Sequence, residues 1–191
     1  MNYPRLRKIK KLYFGYEEIS RALNINPDSA RVVANRYVKK DILIRIKRNL
    51  YILREKWDNI DEEERFTLAN IIQVPSYISL MTALGYYGIS TQIQRGFIES
   101  IGIYRTKEVR VAEEVFNYTR IKKKLYFGFS KTRGFFIAFP EKAFLDALYL
   151  MSLKRYKFDL TSLDIDKLDM GKIKKMVKRF PVKTKKLLEQ I

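Results

Sequence analysis

Residues 16–53 contain the pattern that most constrains the fold of this chain. Apolar residues recur at the i, i+3, i+4, i+7 and i+8 spacing of one helix face, at Ala30, Val33, Ala34, Tyr37 and Val38. A shorter apolar stripe precedes the turn around Pro27, and alternating isoleucines follow from position 42 to 46. The order helix, tight turn, helix, strand, basic turn, strand is typical of a winged helix-turn-helix, whose second helix enters the major groove of DNA.

When that apolar face packs inward, the opposite face of the second helix turns outward. It carries side chains that reach base edges and phosphates, with one apolar member for a thymine methyl: Ser29, Arg31, Val32, Asn35, Arg36 and Lys39. Lys47, Arg48 and Asn49 form the tip of the wing, and either Asn26 or Asp28 caps the helix start. The polar residues of the helix face and the wing tip together predict a DNA-binding surface. A helical hairpin with no DNA role shows much of this pattern, but the basic wing favours DNA binding.

The positive charge of the chain is concentrated at its two ends. Residues 1–53 hold 13 Lys and Arg against 4 Asp and Glu, a net charge of +9. Residues 54–170 hold 18 against 16, a net of +2, and residues 171–191 hold 8 against 1, a net of +7. A basic end that carries a helix-turn-helix pattern is the electrostatic footprint of a nucleic-acid binder.

The composition argues against most enzymatic chemistry. The chain has no cysteine and no histidine, which excludes disulfides, thiolate metal sites and nucleophiles activated by histidine. A metal-dependent nuclease needs only carboxylates, so the acidic clusters Asp61–Glu64 and Asp164, Asp166 and Asp169 are candidate ligands. The first cluster is a consecutive run, and the second lies among apolar residues on what we expect to be an exposed face. Both patterns favour solvated helix surfaces over a metal site. We therefore expect no catalytic residue, no metal and no cofactor.

The sequence gives no indication of a membrane protein. No stretch approaches the roughly 18 uninterrupted apolar residues of a spanning helix, and the N-terminus lacks the apolar region of a secretory signal. We expect a cytoplasmic protein. The tail predicts a basic amphipathic helix with the apolar stripe Ile173, Met176, Val177 and Phe180. Such a helix either covers the domain core, which we favour, or lies on anionic lipid or in a partner's groove.

The charged segment 54–64 separates two regions that each have their own apolar periodicity. We predict a winged helix-turn-helix domain at 1–53, a linker at 54–64 and a second domain at 65–191. The second domain is expected to begin with helices at 65–73 and from Ser76, to continue with short strands between 97 and 139, and to return to helix at Pro140. The predicted class is α+β, with a mixed α/β second domain and a helical C-terminal end.

Three stretches resemble the AbiEi-type antitoxins, the regulators of type IV toxin–antitoxin and abortive-infection systems. They are SYISLMTALGYYGIS at 76–90, FPEKAFLDALYL at 139–150 and DILIRIKRNLYIL at 41–53, and the resemblance covers residues 4–155. It implies an autorepressor that binds inverted repeats in its own promoter and counteracts a nucleotidyltransferase-type toxin. By resemblance, DNA contact falls on Arg31, Asn35, Arg36, Lys39, Lys47 and Arg48. The wing turn departs from the family because Asn49 stands where a glycine is expected.

Glu141, Lys142 and Asp146 form a second candidate site, either facing the toxin or acting in catalysis. The i, i+4 spacing of Lys142 and Asp146 equally predicts an ion pair on the surface of a helix, which we favour. Two rival functions remain open: a plain winged-helix regulator whose second domain senses a ligand or dimerises, and a metal-dependent nuclease. The oligomeric state is also open at this stage.

Overall fold

The computed structural model describes residues 3–92 and 94–191 and has an α+β fold. The chain divides into two compact units, residues 1–62 and 63–191. Within the described ranges, no helix is both long enough and apolar enough to cross a membrane.

The first unit contains four helices and a β-hairpin within its described residues. They are α1 (Tyr3–Leu6), α2 (Tyr16–Leu23), α3 (Pro27–Lys39), β1 (Leu43–Lys47), β2 (Leu50–Leu53) and α4 (Arg54–Trp57). Ala30, Ala34 and Tyr37 of α3 are buried, while Val33 and Val38 are partly buried against the same core. The predicted apolar face of the second helix is therefore confirmed. The two strands of the hairpin, predicted from alternating residues, are antiparallel neighbours.

A short extended segment before α2 adds to the hairpin. The Phe14 N–H donates to the Tyr51 carbonyl and the Tyr51 N–H donates to the Phe14 carbonyl, both at 2.9 Å. Phe14 is also part of the buried core of the first unit. The order of elements is thus helix, bridging segment, helix, helix, hairpin. Sequence analysis did not identify this segment because only one residue pair forms the bridge.

The segment 54–64, predicted as a linker, is helical at both ends. Helix α4 begins directly after β2, and Trp57 is fully buried while Ile60 is 6% exposed. The Tyr3 hydroxyl donates to the Glu55 carboxylate at 2.6 Å, which ties α4 to α1. The first unit therefore extends to residue 62, because the apolar residues among these charges belong to its interior.

The second unit is built around a six-stranded mixed sheet. In chain order its elements are α5 (Glu62–Ile72), β3 (Ser76–Ile78), α6 (Leu80–Tyr86), β4 (Phe97–Gly102), β5 (Lys107–Val111), β6 (Glu114–Arg120), β7 (Phe129–Thr132), β8 (Phe135–Ala138), α7 (Pro140–Ser152), α8 (Met170–Met176) and α9 (Val182–Leu188). The strand order is β5-β6-β4-β3-β8-β7. The β4–β6 and β3–β8 pairs are parallel, and the other three pairs are antiparallel.

Helices α5 and α7 pack on opposite faces of this sheet. The Tyr118 hydroxyl donates to the Ala69 carbonyl of α5 at 2.6 Å, which places α5 on the face that Tyr118 shares with Ile78. Tyr77 precedes Ile78 in β3 and so points to the other face. There its hydroxyl donates to the Asp146 carboxylate of α7 at 2.9 Å. The described core of the second unit therefore has a helix–sheet–helix layering around β3.

One predicted helix in the second unit begins later than expected. Ser76 was predicted as its N-cap, but Ser76–Ile78 is strand β3, and the helix starts after Ser79. All three strand residues are buried, because β3 is a central strand with α5 on one face and α7 on the other. When a short apolar segment is buried on both faces, its sequence pattern does not distinguish a strand from a buried helix. The predicted helix start at Pro140 is confirmed.

The C-terminal tail forms two short helices rather than one amphipathic helix. Ile173 of α8 is fully buried, and Phe180 between α8 and α9 is 3% exposed. The Phe180 ring lies 6.0 Å from Tyr149 of α7 and 6.1 Å from Phe127. The apolar stripe thus packs onto the core of the second unit, and the lysines of α8 face outward.

Candidate nucleic-acid interface

The outer face of α3 is polar, basic and accessible. The predicted residues on it are all exposed: Ser29, Arg31, Val32, Asn35, Arg36 and Lys39. Val32, the apolar member, is 66% exposed. A large aliphatic side chain standing in water without a core contact is suited to meet an apolar group of a ligand, such as a thymine methyl. The helix therefore presents hydrogen-bond donors, positive charge and one apolar contact on one side.

The start of α3 is fixed by a side-chain cap. The Asn26 side-chain oxygen accepts a hydrogen bond from the Ser29 N–H at 2.8 Å, and Pro27 occupies the first turn. This cap satisfies one of the four N–H groups that a helix start leaves without a partner. Of the two predicted N-cap residues, Asn26 is the one that the structure uses. The remaining N–H groups of the first turn give this end of α3 a positive potential.

The tip of the β1–β2 hairpin carries Lys47, Arg48 and Asn49, and all three are exposed. Asn49 has a φ of 56°, in the left-handed region that asparagine adopts more readily than most residues. The departure from glycine at this turn is therefore accommodated by the backbone.

The side chain of Asn49 has a structural role that the sequence did not reveal. Its oxygen accepts a hydrogen bond from the Tyr16 N–H at 2.7 Å, at the start of α2. A Cβ on Gly15 would lie 3.0 Å from that oxygen, so glycine at position 15 lets the turn approach the helix. Asn49, which was predicted to contact DNA, also holds the hairpin tip against α2 through its side-chain oxygen.

A tyrosine pair lies between α2 and the hairpin. The Tyr51 hydroxyl donates to the Tyr16 hydroxyl oxygen at 3.0 Å. Burial and this hydrogen bond raise the pKa of Tyr51 to about 12, while Arg45 and Arg31 act in the opposite direction. Arg45 pairs with Tyr51 in the hairpin register, and α3, which carries Arg31, packs against β1. Exposed basic residues therefore stand on two neighbouring elements of the first unit.

Arg45 is a residue of this surface that sequence analysis missed. It is exposed and lies directly opposite Tyr51 in the antiparallel register. Lys47, two positions later, is exposed as well. The alternation of Ile44 and Ile46 with Arg45 and Lys47 was a signal that could have identified it, since neighbouring residues of a strand point to opposite faces.

The second candidate site is not on the surface. Lys142 and Asp146 are completely buried, and Glu141 is 4% exposed. The predicted i, i+4 ion pair between Lys142 and Asp146 is present, but it is enclosed in the second unit rather than on a helix surface. None of these three side chains can therefore face a toxin while the unit is folded.

The buried pair is held by a polar network inside an aromatic cage. Asp146 accepts hydrogen bonds from the Tyr77 hydroxyl at 2.9 Å and the Ser79 hydroxyl at 3.0 Å, and Lys142 donates to the Tyr77 oxygen at 2.8 Å. The rings of Phe127 and Phe180 lie 5.2 and 5.5 Å from the lysine nitrogen. Burial lowers the pKa of Lys142 and raises that of Asp146, whereas their mutual attraction favours both charges. With no path to solvent, this network stabilises α7 against the sheet.

Among residues 3–92 and 94–191, no three acidic side chains are grouped so that they could hold a metal ion. The acidic residues of 61–64 and 164–169 are spread along helix starts and turns. The candidate site is therefore the basic face of the first unit, formed by the exposed residues Arg31, Arg36 and Lys39 of α3 and Lys47 and Arg48 of the hairpin tip.

Comparison with known proteins adds no further assignment. The sequence matches no protein-family model, and no curated protein is similar enough to count as a match. The chemistry of the basic face therefore rests on its own residues and geometry.

Proposed function

We propose that this chain is a sequence-specific DNA-binding regulator whose first unit is a winged helix-turn-helix. Helices α2 and α3 would be the helix-turn-helix, the β1–β2 hairpin the wing, and the bridge at Phe14 its additional strand. The observation that carries the proposal is that exposed basic residues, Arg31 and Arg36 on α3 and Lys47 and Arg48 at the hairpin tip, stand on two elements that pack together. A recognition helix and a wing need this arrangement to contact the same duplex.

In this proposal the two elements have different roles. Asn35 and Arg36 lie on the exposed face of α3, where they are suited to paired hydrogen bonds with adenine and guanine edges. Lys47 and Arg48 at the hairpin tip and Arg45 on β1 provide charge for phosphates, which positions the protein without reading sequence. Tyr16 and Asn49 hold the hairpin tip at a fixed distance from α2.

The resemblance to AbiEi-type antitoxins extends the proposal to the whole chain. The regulator would bind inverted repeats in its own promoter in the cytoplasm, and the second unit would counteract a nucleotidyltransferase-type toxin. The burial of Glu141, Lys142 and Asp146 removes them as the residues that face the toxin. A toxin-directed surface would have to use other residues of the second unit.

DNA recognition is tested by gel-shift titration of the full chain on its own promoter and on random duplex DNA of equal length. Replacing Asn35 and Arg36 by alanine is expected to weaken promoter binding by roughly 1–3 kcal/mol for each of the two side chains, and random binding far less. Equal weakening on both DNAs would mean that these side chains touch only phosphate. Failure of the unmodified chain to prefer its promoter would overturn sequence-specific binding.

The antitoxin function is tested with the same full-length double variant. Cells express the adjacent toxin-like gene from an unrelated promoter, so that repression of the natural promoter cannot protect them. Protection by both the unmodified chain and the variant is the expected result, because the second unit is intact in each. Absence of protection by both would favour the plain regulator, whose second unit senses a ligand or dimerises.

A further inference from the structure

An apolar groove of about 460 Å³ opens on the second unit beside β7. Its walls come from α5, the segment before β3 and the β7–β8 hairpin. The apolar residues lining it are Ile71, Val74, Pro75, Tyr126, Phe129 and Phe136. Val74 is 69% exposed and Phe136 is 39% exposed, so large apolar side chains stand in water at its rim. Exposed apolar side chains gathered at one groove mark a surface for binding.

The strand that borders this groove lies at the edge of the sheet. This strand is β7, which pairs with β8 along one of its edges. No strand of the described chain pairs with the other edge of β7. Thr132 and Phe135 close the two-residue turn, and the Phe139 N–H donates to the Gly128 carbonyl at 2.9 Å. Since hydrogen-bonded pairs alternate in an antiparallel ladder, the backbone groups of Phe129 and Lys131 point away from β8. They are positioned to pair with an added strand.

Two polar side chains in the groove, Asn70 and Ser76, are already engaged within the unit. The Asn70 side-chain oxygen accepts a hydrogen bond from the Phe136 N–H at 2.6 Å. The Ser76 hydroxyl donates to the Gln73 carbonyl at 2.6 Å. A small polar ligand would therefore find few side chains to orient it. An extended backbone, in contrast, meets the outward backbone groups of β7.

The positive charge around the groove favours an acidic partner strand. Of the described residues that line the groove, Lys131 alone is charged. Residues 63–191 hold 24 Lys and Arg against 13 Asp and Glu, a net charge of +11. A second copy of this strongly basic unit would bring like charges together, whereas an acidic segment is attracted. The opposite edge strand, β5, differs because Glu108 and Arg110 pair with each other on it at 3.0 Å, which discourages strand addition there.

We propose that the β7 edge and its groove bind an extended segment of a protein partner that carries an apolar and an acidic side chain two positions apart. The segment adds a seventh strand to the sheet through the backbone of Phe129 and Lys131. Phe129 and Lys131 share a face of β7, so on that face the apolar side chain of the added strand lies against Phe129 at the groove while its carboxylate lies near Lys131. This inference is independent of the DNA-binding proposal, because it concerns the second unit alone.

The experiment is a selection of random seven-residue peptides on phage against the immobilised full chain. Excess soluble Lys131→Pro protein serves as competitor, which removes acidic peptides that bind basic surfaces elsewhere. Proline at 131 deletes the outward N–H without touching the ladder to β8, since proline is tolerated on the outer side of an edge strand. Lys131→Ala is the matched control that loses the side chain but keeps the N–H. Phe136→Ala, at an exposed position, opens the groove wall.

The expected result is a family of peptides with an apolar and an acidic residue two positions apart. The best of these should bind at least tenfold more weakly to Lys131→Pro than to Lys131→Ala, and more weakly to Phe136→Ala than to the unmodified chain. Circular dichroism verifies that each variant is folded. Failure to enrich any family, enrichment of basic peptides, or equal binding to the proline and alanine variants would overturn the proposal. A dimer of the unmodified chain that Lys131→Pro dissociates would also overturn it, in favour of a second copy as the occupant.

Discussion

The Asn49 side-chain oxygen accepts a hydrogen bond from the Tyr16 N–H at 2.7 Å, across 33 residues of sequence. Tyr16 is the first residue of α2, and its N–H is one of those that a helix start leaves without an intrahelical partner. The same asparagine provides the positive φ of the hairpin turn. One side chain therefore both shapes the hairpin tip and attaches it to the neighbouring helix.

Two substitutions at Asn49 separate these roles. Glycine keeps the positive φ but removes the acceptor, so Asn49→Gly is expected to lower the free energy of unfolding of the first unit by about 1 kcal/mol. Alanine removes both features, and Asn49→Ala is expected to lower it by about 2 kcal/mol. Trp57, the single tryptophan of the chain, is buried in this unit, so its fluorescence during urea unfolding reports the first unit. Equal destabilisation by glycine and alanine would show that the turn conformation contributes nothing.

Charge reversal at the hairpin tip is expected to weaken DNA binding generally. Lys47→Glu with Arg48→Glu removes two phosphate contacts, which should lower affinity for all sequences and reduce the slope of log affinity against log salt by about 1.8. Fluorescence anisotropy at several salt concentrations measures both quantities. Reversal of the exposed Lys174 and Lys175 in α8 is the matched control, with the same change in net charge. An equal effect of the control would mean that net charge alone is responsible.

Breaking the buried ion pair is expected to destabilise the second unit strongly. Lys142→Met leaves the Asp146 carboxylate enclosed without its cation, which should lower the free energy of unfolding by about 3–5 kcal/mol. Adding Asp146→Asn removes that charge while keeping an acceptor for Tyr77 and Ser79, so the double variant should recover part of the loss. Urea unfolding followed by circular dichroism measures this, with Trp57 fluorescence reporting the first unit as an internal control. A double variant no more stable than the single one would contradict the buried-charge explanation.

The buried carboxyl of Glu99 predicts a pH dependence of stability. Burial raises its pKa from 4.5 to about 7, although the Tyr156 hydroxyl and the Met81 N–H donate to it at 3.0 and 3.1 Å. Between those two pKa values the folded state holds a proton that the unfolded state has lost. The contribution of Glu99 to stability is therefore largest below about pH 4.5 and falls as the pH rises to about 7, by at most about 3 kcal/mol.

Glu99→Gln removes this titration while keeping the shape of the side chain. The difference in free energy of unfolding between the glutamine variant and the unmodified chain should accordingly widen in favour of the variant from pH 5 to pH 8. Glu108→Gln, at an exposed glutamate in β5, serves as the control and should show no such trend. A constant difference across this range would mean that Glu99 is ionised in the folded state throughout.

Local periodicity was sufficient where one face of an element is buried. The apolar stripe of α3 predicted both the helix and its outward residues, because each position on a helix surface follows from the 3.6-residue repeat. It failed at Ser76–Ile78, where burial on both faces leaves no alternation to read. Periodicity also failed to identify Trp57 as buried, because a single apolar residue among charged residues forms no periodic pattern.

The sequence alone determined the α+β class, the helix pair and hairpin of the first unit, and the concentration of positive charge there. These features depend on spacing between near neighbours and on composition. Only the tertiary structure decided that the Lys142–Asp146 pair is buried, because its enclosure comes from Tyr77, Phe127 and Phe180, which lie far apart in sequence. It likewise decided that Arg45 lies opposite Tyr51, since the pairing of β1 with β2 brings these residues together. Spacing along the chain specifies which residues share a face, whereas what that face meets is set by contacts between distant segments.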